Sequence, residues 1–294
     1  MQGTIAQTIA LITWGNAALG GTPPFDPAGF YPGNSAFAFC EYVKFVHLKR
    51  GGEKWLETDY AFDPIVWFTR MKEDGVSSLR MTYGPSGGKK VGDDHVTDRM
   101  LVGFVGGGGR WLIEAVRPKG SDYWEARWEV GDRDREDRRI WRVSYGRIAA
   151  NAPSSSGSRA NAEEIRARLA VNLQRIAEFA RTHRQDGFAK AFESALACLS
   201  SDEPLGGVYH TDIAPPGSLP KVEAQLLGAA QSAWVFGGMG SWNDIRFDGA
   251  DQTQYDELSE ELYGLLNASI VTAANSSSRA SQAFSSKAWW QIWR

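Results

Sequence analysis

The chain has 294 residues, 43% hydrophobic, 12% aromatic and 23% charged, which is the make-up of a folded globular protein with room for one large domain or two small ones and excludes a wholly disordered chain. A formal net charge of −3 excludes a global attraction to nucleic acid or anionic membrane, so any such contact has to be local. Cys40 and Cys198 fit no CxxC spacing and sit in apolar runs, as free thiols do in a reducing cytoplasm.

Residues 1–150 alternate and are rich in aromatic and β-branched types, which predicts a β-rich α+β module. Its opening, MQGTIAQTIALITWGNAALGG, has no basic start and an apolar core broken by Thr, Trp and Asn, so it does not read as a secretory signal. TIAQTIALITW and YVKFVHL read as strands. Asp63-Pro64 before IVWFTRMKEDG reads as a short helix with its cap, first-turn proline and terminal Gly75. SLRMTY, MLVGFV, RWLIEAV, YWEARWEV and IWRVSYGRI then follow as a mainly antiparallel meander. In YWEARWEV, Trp124, Ala126, Trp128 and Val130 share the face expected to be core. GFVGGGGR reads as a hairpin turn, and GDRDREDRR as a hairpin tip whose acids cancel its bases.

The Pro/Ser/Gly stretch 151–161 is the expected connection to a helical module over 162–275. Asn161 with Glu164 starts one helix, and a second runs through Phe188, Phe192, Ala195 and Leu199. A third spans Ser218 to Phe236, and a fourth spans Thr253 to Ile270. About four helices packed against the sheet complete the expected fold. Residues 276–294 read as a Ser-rich tether carrying a basic tail with Trp289, Trp290 and Trp293, the last followed by Arg294.

No stretch completes a catalytic or cofactor motif. YGPSGGKKVGDD misses the phosphate-loop pattern GxxxxGK[ST]. Asp93, Asp94, His95 and Asp98 bring together carboxylates and an imidazole, the donor types a divalent ion takes, although their spacing is that of no known ion loop; His95 is also a catalytic candidate. His210 and Asp212, in the proline-ended loop GVYHTDIAPPG, form the second His/acid pair. The segment WVFGGMGSWNDIRFDGAD has glycines at 237, 238 and 240, then Met239 and Trp242, then Asp244 and Asp248. It supports two readings: a contact loop offering Met239, Trp242 and an acidic edge, or an internal helix–helix turn with Trp242 buried. The functional expectation is a non-enzymatic interaction or scaffold subunit of a larger cytoplasmic, bacterial assembly, with Met239, Trp242, Asp244, Asp248 and the three tail tryptophans as partner contacts. The expected partner is a protein or a second copy, with no cofactor, no nucleic acid and no identifiable small ligand; membrane contact through the tail is a lesser alternative. The rival is a metal-dependent hydrolase between the modules, built on His210, Asp212 and the acids after Gly240.

Overall fold

The structure is a computed structural model that describes residues 1–20, 25–51, 54–91, 94–104, 107–155 and 161–290, with side chains throughout these except at 54, 89–91, 94–95 and 279–290. In chain order the elements are α1 (Gly3–Gly20), α2 (Pro27–Phe30), a 3-10 turn (Ser35–Phe37), β1 (Cys40–Gly51), β2 (Lys54–Ala61), α3 (Pro64–Glu73), β3 (Ser78–Gly84), β4 (Lys89–Val91), β5 (Asp94–Val96) and α4 (Asp98–Leu101). These are followed by β6 (Arg110–Arg117), β7 (Gly120–Val130), β8 (Trp141–Ala152), α5 (Ala162–Thr182), α6 (Asp186–Cys198), α7 (Lys221–Ser232), a second 3-10 turn (Trp242–Asp244) and α8 (Gly249–Trp290). The fold is α+β, with a six-stranded sheet in the order β2-β1-β8-β7-β6-β3 and a separate β4-β5 hairpin.

The sheet is mixed rather than purely antiparallel, because β8 lies parallel to β1 while all other neighbours are antiparallel. One face is wet and laced by ion pairs, among them Arg142 with Glu41 and Arg127 with Glu57. The other face is apolar and centred on Phe45, Trp124 and Tyr145, with Phe45 stacked at 4.3 Å on Trp67 of α3. The charged loop after β7 pairs within itself through Arg135 and Asp137, in keeping with a solvated tip between two antiparallel strands.

The segment TIAQTIALITW is helix α1, not a strand. Its Thr and Ile content favours a strand locally, but the helix is buried on nearly every side by β3, β6, α3 and α8. A helix satisfies its own backbone hydrogen bonds there, whereas a strand would need flanking strands, so tertiary burial overrides propensity. MLVGFV is also not a strand: Met100 and Leu101 belong to α4, so the glycine run links α4 to β6 rather than closing a hairpin. Strand β2 carries no strong alternation and escapes the sequence reading. At the far edge of the sheet, two asparagine amides stand in for the missing neighbour of β3. Asn16 of α1 accepts from Leu79 N (2.7 Å) and donates to Leu79 O (2.9 Å), while Asn275 of α8 does the same with Met81 (2.6 and 3.0 Å). An edge that would otherwise expose unpaired backbone groups is thereby closed.

The helical half begins where the sequence places it, with Asn161 accepting from Glu163 N at 3.1 Å. Helix α7 ends at Ser232, earlier than Phe236, and α8 starts at Gly249, ahead of Thr253. Beyond Ile270, α8 continues through the serines expected to form a tether. Ser276, Ser277 and Ser278 are buried, their hydroxyls donating to carbonyls three residues earlier, which lets a serine run stay helical without unpaired donors. Helix α8 packs on α5, α7, α1 and β3, and one continuous apolar core runs from the sheet through α1 into the helices. Among the described residues no helix is long and apolar enough to cross a membrane.

Candidate functional site

A cleft of about 680 Å3 opens where α1 begins, between the inner face of β6, β7 and β8 and the loop that carries His210. Its walls are aromatic. Trp128 and Trp141 meet edge to face at 5.8 Å, and Trp128 lies over Gly3, so close that a methyl group there would sit 3.1 Å from the indole. Trp111 lines the same space, held by Tyr83 at 4.5 Å. Three rings at the cleft stay largely in solvent: Phe39 is 47% exposed, Phe104 70% and Tyr209 71%.

His210 lies in the cleft wall and is only 6% exposed. Its backbone is gripped by the Gln231 amide, which accepts from His210 N at 3.2 Å and donates to His210 O at 3.4 Å. The following residues are pinned as firmly: Asp212 O accepts from Trp14 Nε1 (3.0 Å) and Asn34 Nδ2 (2.5 Å), and Ile213 O accepts from Thr13 Oγ1 (2.7 Å). The Asp212 carboxylate accepts from Ser35 N at 2.8 Å and from Ser35 Oγ, while Ser35 Oγ also lies 2.8 Å from His210 Nδ1. A serine hydroxyl has one proton and a carboxylate can only accept, so Ser35 donates to Asp212 and His210 Nδ1–H donates to Ser35 Oγ. This assigns the tautomer: Nδ1 carries the proton and Nε2 the lone pair, and Nε2 is not among the buried side-chain atoms left without a partner.

Burial pushes the His210 imidazole down to about 4 from an ordinary 6.5. The unfolded chain therefore takes up a proton at a pH where the folded chain does not. Stability is complete above pH 6.5 and falls as the pH drops through the window towards 4, by up to about 3 kcal/mol. Urea midpoints at pH 7, 5.5 and 4.5 should show this fall, and His210→Gln should lose part of it; equal slopes for the two proteins would show that His210 titrates normally.

Cys40 also lines the cleft, but burial raises its thiol to about 11, and Gln7 Nε2 donates to its sulfur at 3.4 Å. It is a neutral packing thiol at physiological pH, not a nucleophile. The structure thus brings His210 and Asp212 together and adds Ser35, whose position 175 residues from His210 hides it from a sequence reading. Only the turn chemistry of Asn34-Ser35, with Asn34 Oδ1 accepting from Ala36 N, marks that loop in the sequence.

The acids after Gly240 do not join this cluster. Asp244 folds back to accept from Ser241 N at 3.2 Å and from Gly240 N, Asp248 is exposed, and Asp251 has His183 as its nearest base at 3.9 Å. Trp242 is no contact residue: it is fully buried against Phe188, Phe192 and Tyr255, so the internal-turn alternative is the one the fold adopts. Of the three glycines only Gly240 has a positive φ, of 81°. Met239 beside it is fully exposed, and the Gly237 carbonyl packs so tightly on Gly103 that no Cβ would fit there, bringing the loop up to the cleft margin. Asp98 turns away from ion binding, accepting from both Ser86 N (2.7 Å) and Ser86 Oγ. Asp93, the side chains of Asp94, His95, Trp289 and Trp290, and all of Trp293 and Arg294 lie outside the described residues. Among the described residues no three His, Cys, Asp or Glu side chains form a group able to hold a metal.

Comparison with protein-family models, with curated proteins and with solved structures finds no match. Any functional reading therefore rests on the cleft.

Proposed function

We propose that this chain is an interaction subunit of a cytoplasmic assembly that seats a partner polypeptide in the cleft, with Met239 at its margin. The observation that carries the reading is the set of exposed aromatics, Phe39, Phe104 and Tyr209, around a cavity walled by tryptophans. Large apolar rings left in water around a concave site are the anchors on which binding energy concentrates. The surrounding charges are already neutralised: Arg110 pairs with Glu125 at 2.6 Å and Arg127 with Glu57 at 2.5 Å. An apolar partner therefore meets little uncompensated charge at the cleft.

Placing a photo-crosslinking benzoylphenylalanine at position 104 in the native host should give a discrete protein adduct, and the same group at the exposed position 171 on α5 should not. Tyr209→Ala should weaken the purified complex about thirtyfold, the effect of losing one anchor worth about 2 kcal/mol. No adduct at 104, or equal adducts at both positions, would overturn the reading.

A further inference from the structure

We propose that strand β2, the free edge of the sheet, pairs antiparallel with β2 of a second copy of this chain about a two-fold axis, joining two six-stranded sheets into one. No residue of β2 lines the cleft, so this surface is separate from the docking reading above.

The two edges of the sheet are built differently. At β3 the backbone is closed by the amides of Asn16 and Asn275. At β2, the other end of the strand order, no backbone group bonds outward among the described residues, and residues 55–59 are all exposed. An unused edge is normally guarded by proline, by a bulge or by charge. Strand β2 has no proline, and its register shift, where Ala61 and Asp59 oppose the consecutive residues Phe45 and Val46, lies at its C-terminal end and leaves the preceding residues regular. Beyond Lys54 at its start, its charges are drawn onto the wet face of their own sheet, Glu57 to Arg127 at 2.5 Å and Asp59 to Lys44 at 3.5 Å. The edge presents apolar groups instead, with Trp55 63% exposed and Leu56 57%. Such an edge takes an added strand.

Closure and charge select a second copy as that strand. With the β3 edge sealed, β2 of one chain has only β2 of an identical chain to meet, and such a pair closes at two. The charges run the right way for it. Near the β1–β2 turn, Lys49 and Arg50 are exposed, and none of the described acids lies within ion-pair distance of either. Near the other end of β2, Glu57, Asp59 and Glu129 share Lys44 and Arg127, an excess of acid among the described residues. Antiparallel pairing lays the basic end of each copy along the acidic end of the other, whereas parallel pairing would set like charges together. The side chains agree. Backbone groups of a strand point outward at every second residue, so Leu56 opposite Leu56 is a permitted register. It brings the two exposed leucines together on the axis and sets Trp55 opposite Glu57 of the second copy, whose charge Arg127 offsets.

The test is sedimentation velocity of the full chain over a hundredfold range of concentration up to about 100 μM. At the upper end the chain should sediment at twice its own mass. Leu56→Lys and Trp55→Lys alter side chains that lie mostly in solvent, so each should raise the dimer dissociation constant at least tenfold while the far-ultraviolet circular dichroism stays that of the parent. Opposed residues of antiparallel strands have Cα atoms about 4.5–5.5 Å apart, within the reach of a disulfide. Leu56→Cys should therefore form an intermolecular disulfide under mild oxidation at least tenfold faster than Val171→Cys on α5, where the parent side chain is as exposed, at 55%. A monomer throughout, a dimer that both lysine variants leave intact, or equal disulfide rates at 56 and 171 would each overturn the inference. Oligomers growing beyond two would overturn the closed pair. Benzoylphenylalanine at position 55 that captures a different protein in the native host, with no adduct to a second copy, would overturn the occupant named here. The adduct at 104 tests the cleft alone, so the two readings fail separately.

Discussion

Trp242→Ala is expected to lower the stability of the fold by about 4 kcal/mol, the middle of the range for emptying a buried aromatic site. The indole has no exposed surface, and it is where three parts of the chain meet. Phe188 and Phe192 of α6 stand edge-on to it at 5.1 and 5.3 Å, and Tyr255 of α8 lies against it at 5.2 Å. Its Nε1 donates to Ser259 Oγ at 2.8 Å, and its backbone is held on both sides, N to Val235 O at 3.1 Å and O from the Tyr255 hydroxyl at 2.5 Å. Removing the ring therefore leaves a cavity whose walls are tied in place, as well as a serine hydroxyl without its partner. Trp242→Phe keeps an aromatic surface and should cost about 2 kcal/mol, reflecting the smaller ring and the lost donor. Urea unfolding of the three proteins measures both values. A Trp242→Ala protein within about 1 kcal/mol of the parent, the typical effect of an ordinary substitution, would mean that this residue is not part of the core, and the contact-loop reading would return.

The second large effect concerns Arg99, and here the two sides of one ion cluster should respond unequally. Arg99 is 1% exposed on α4 and is held by Asp256 at 3.0 Å and Glu260 at 2.9 Å on α8, by Asn243 Oδ1 at 3.0 Å, and by the face of Tyr255. Glu260 also accepts from Thr97 Oγ1 at 2.6 Å. The two carboxylates keep 40% of their side-chain surface in water, whereas the guanidinium keeps almost none. After Arg99→Met the acids can be hydrated, so the loss should be about 3 kcal/mol, the lower end for a broken buried pair. The double change Asp256→Asn and Glu260→Gln strands a desolvated guanidinium and should cost more, about 5 kcal/mol, with little dependence on salt. Unfolding in urea at low and high sodium chloride separates these expectations. Equal, salt-sensitive losses would show that the cluster acts as an ordinary surface network.

The same cluster bears on the charge of residues 202–261, where eleven acids stand against only Lys221 and Arg246. Counted along the chain, those acids have almost no bases near them. In space some of them meet bases from elsewhere in the chain, Asp256 and Glu260 meeting Arg99 and Glu261 approaching Arg168 and Arg175, while Asp202 pairs with Lys221 of the same stretch. Charge asymmetry over a sequence window overstates surface charge where long-range pairs offset part of it. The candidate site divides in the same way. His210 and Asp212 stand out as a local His/acid pair, yet Ser35, which decides where the histidine proton sits, comes from the other end of the chain, as does the α1 terminus.

What the sequence determines by itself are the features set within a turn or two of chain. Asp63 caps α3, accepting from Val66 N at 2.8 Å, with Pro64 in the first turn, because cap and proline act on neighbouring backbone. Asn161 starts α5 for the same reason, and the alternation of β7 places Trp124 in the core because successive side chains of a strand must face opposite ways. Tertiary structure alone decides the rest. It makes α1 a helix, since a segment enclosed on nearly all sides must satisfy its backbone internally; it buries Trp242, since burial depends on which helices converge around a loop; and it extends α8 through serines whose hydroxyls bond back to their own helix. It also assembles the cleft, because residues 3, 35, 128 and 210 share no local signal and meet only when α1 inserts beneath the sheet.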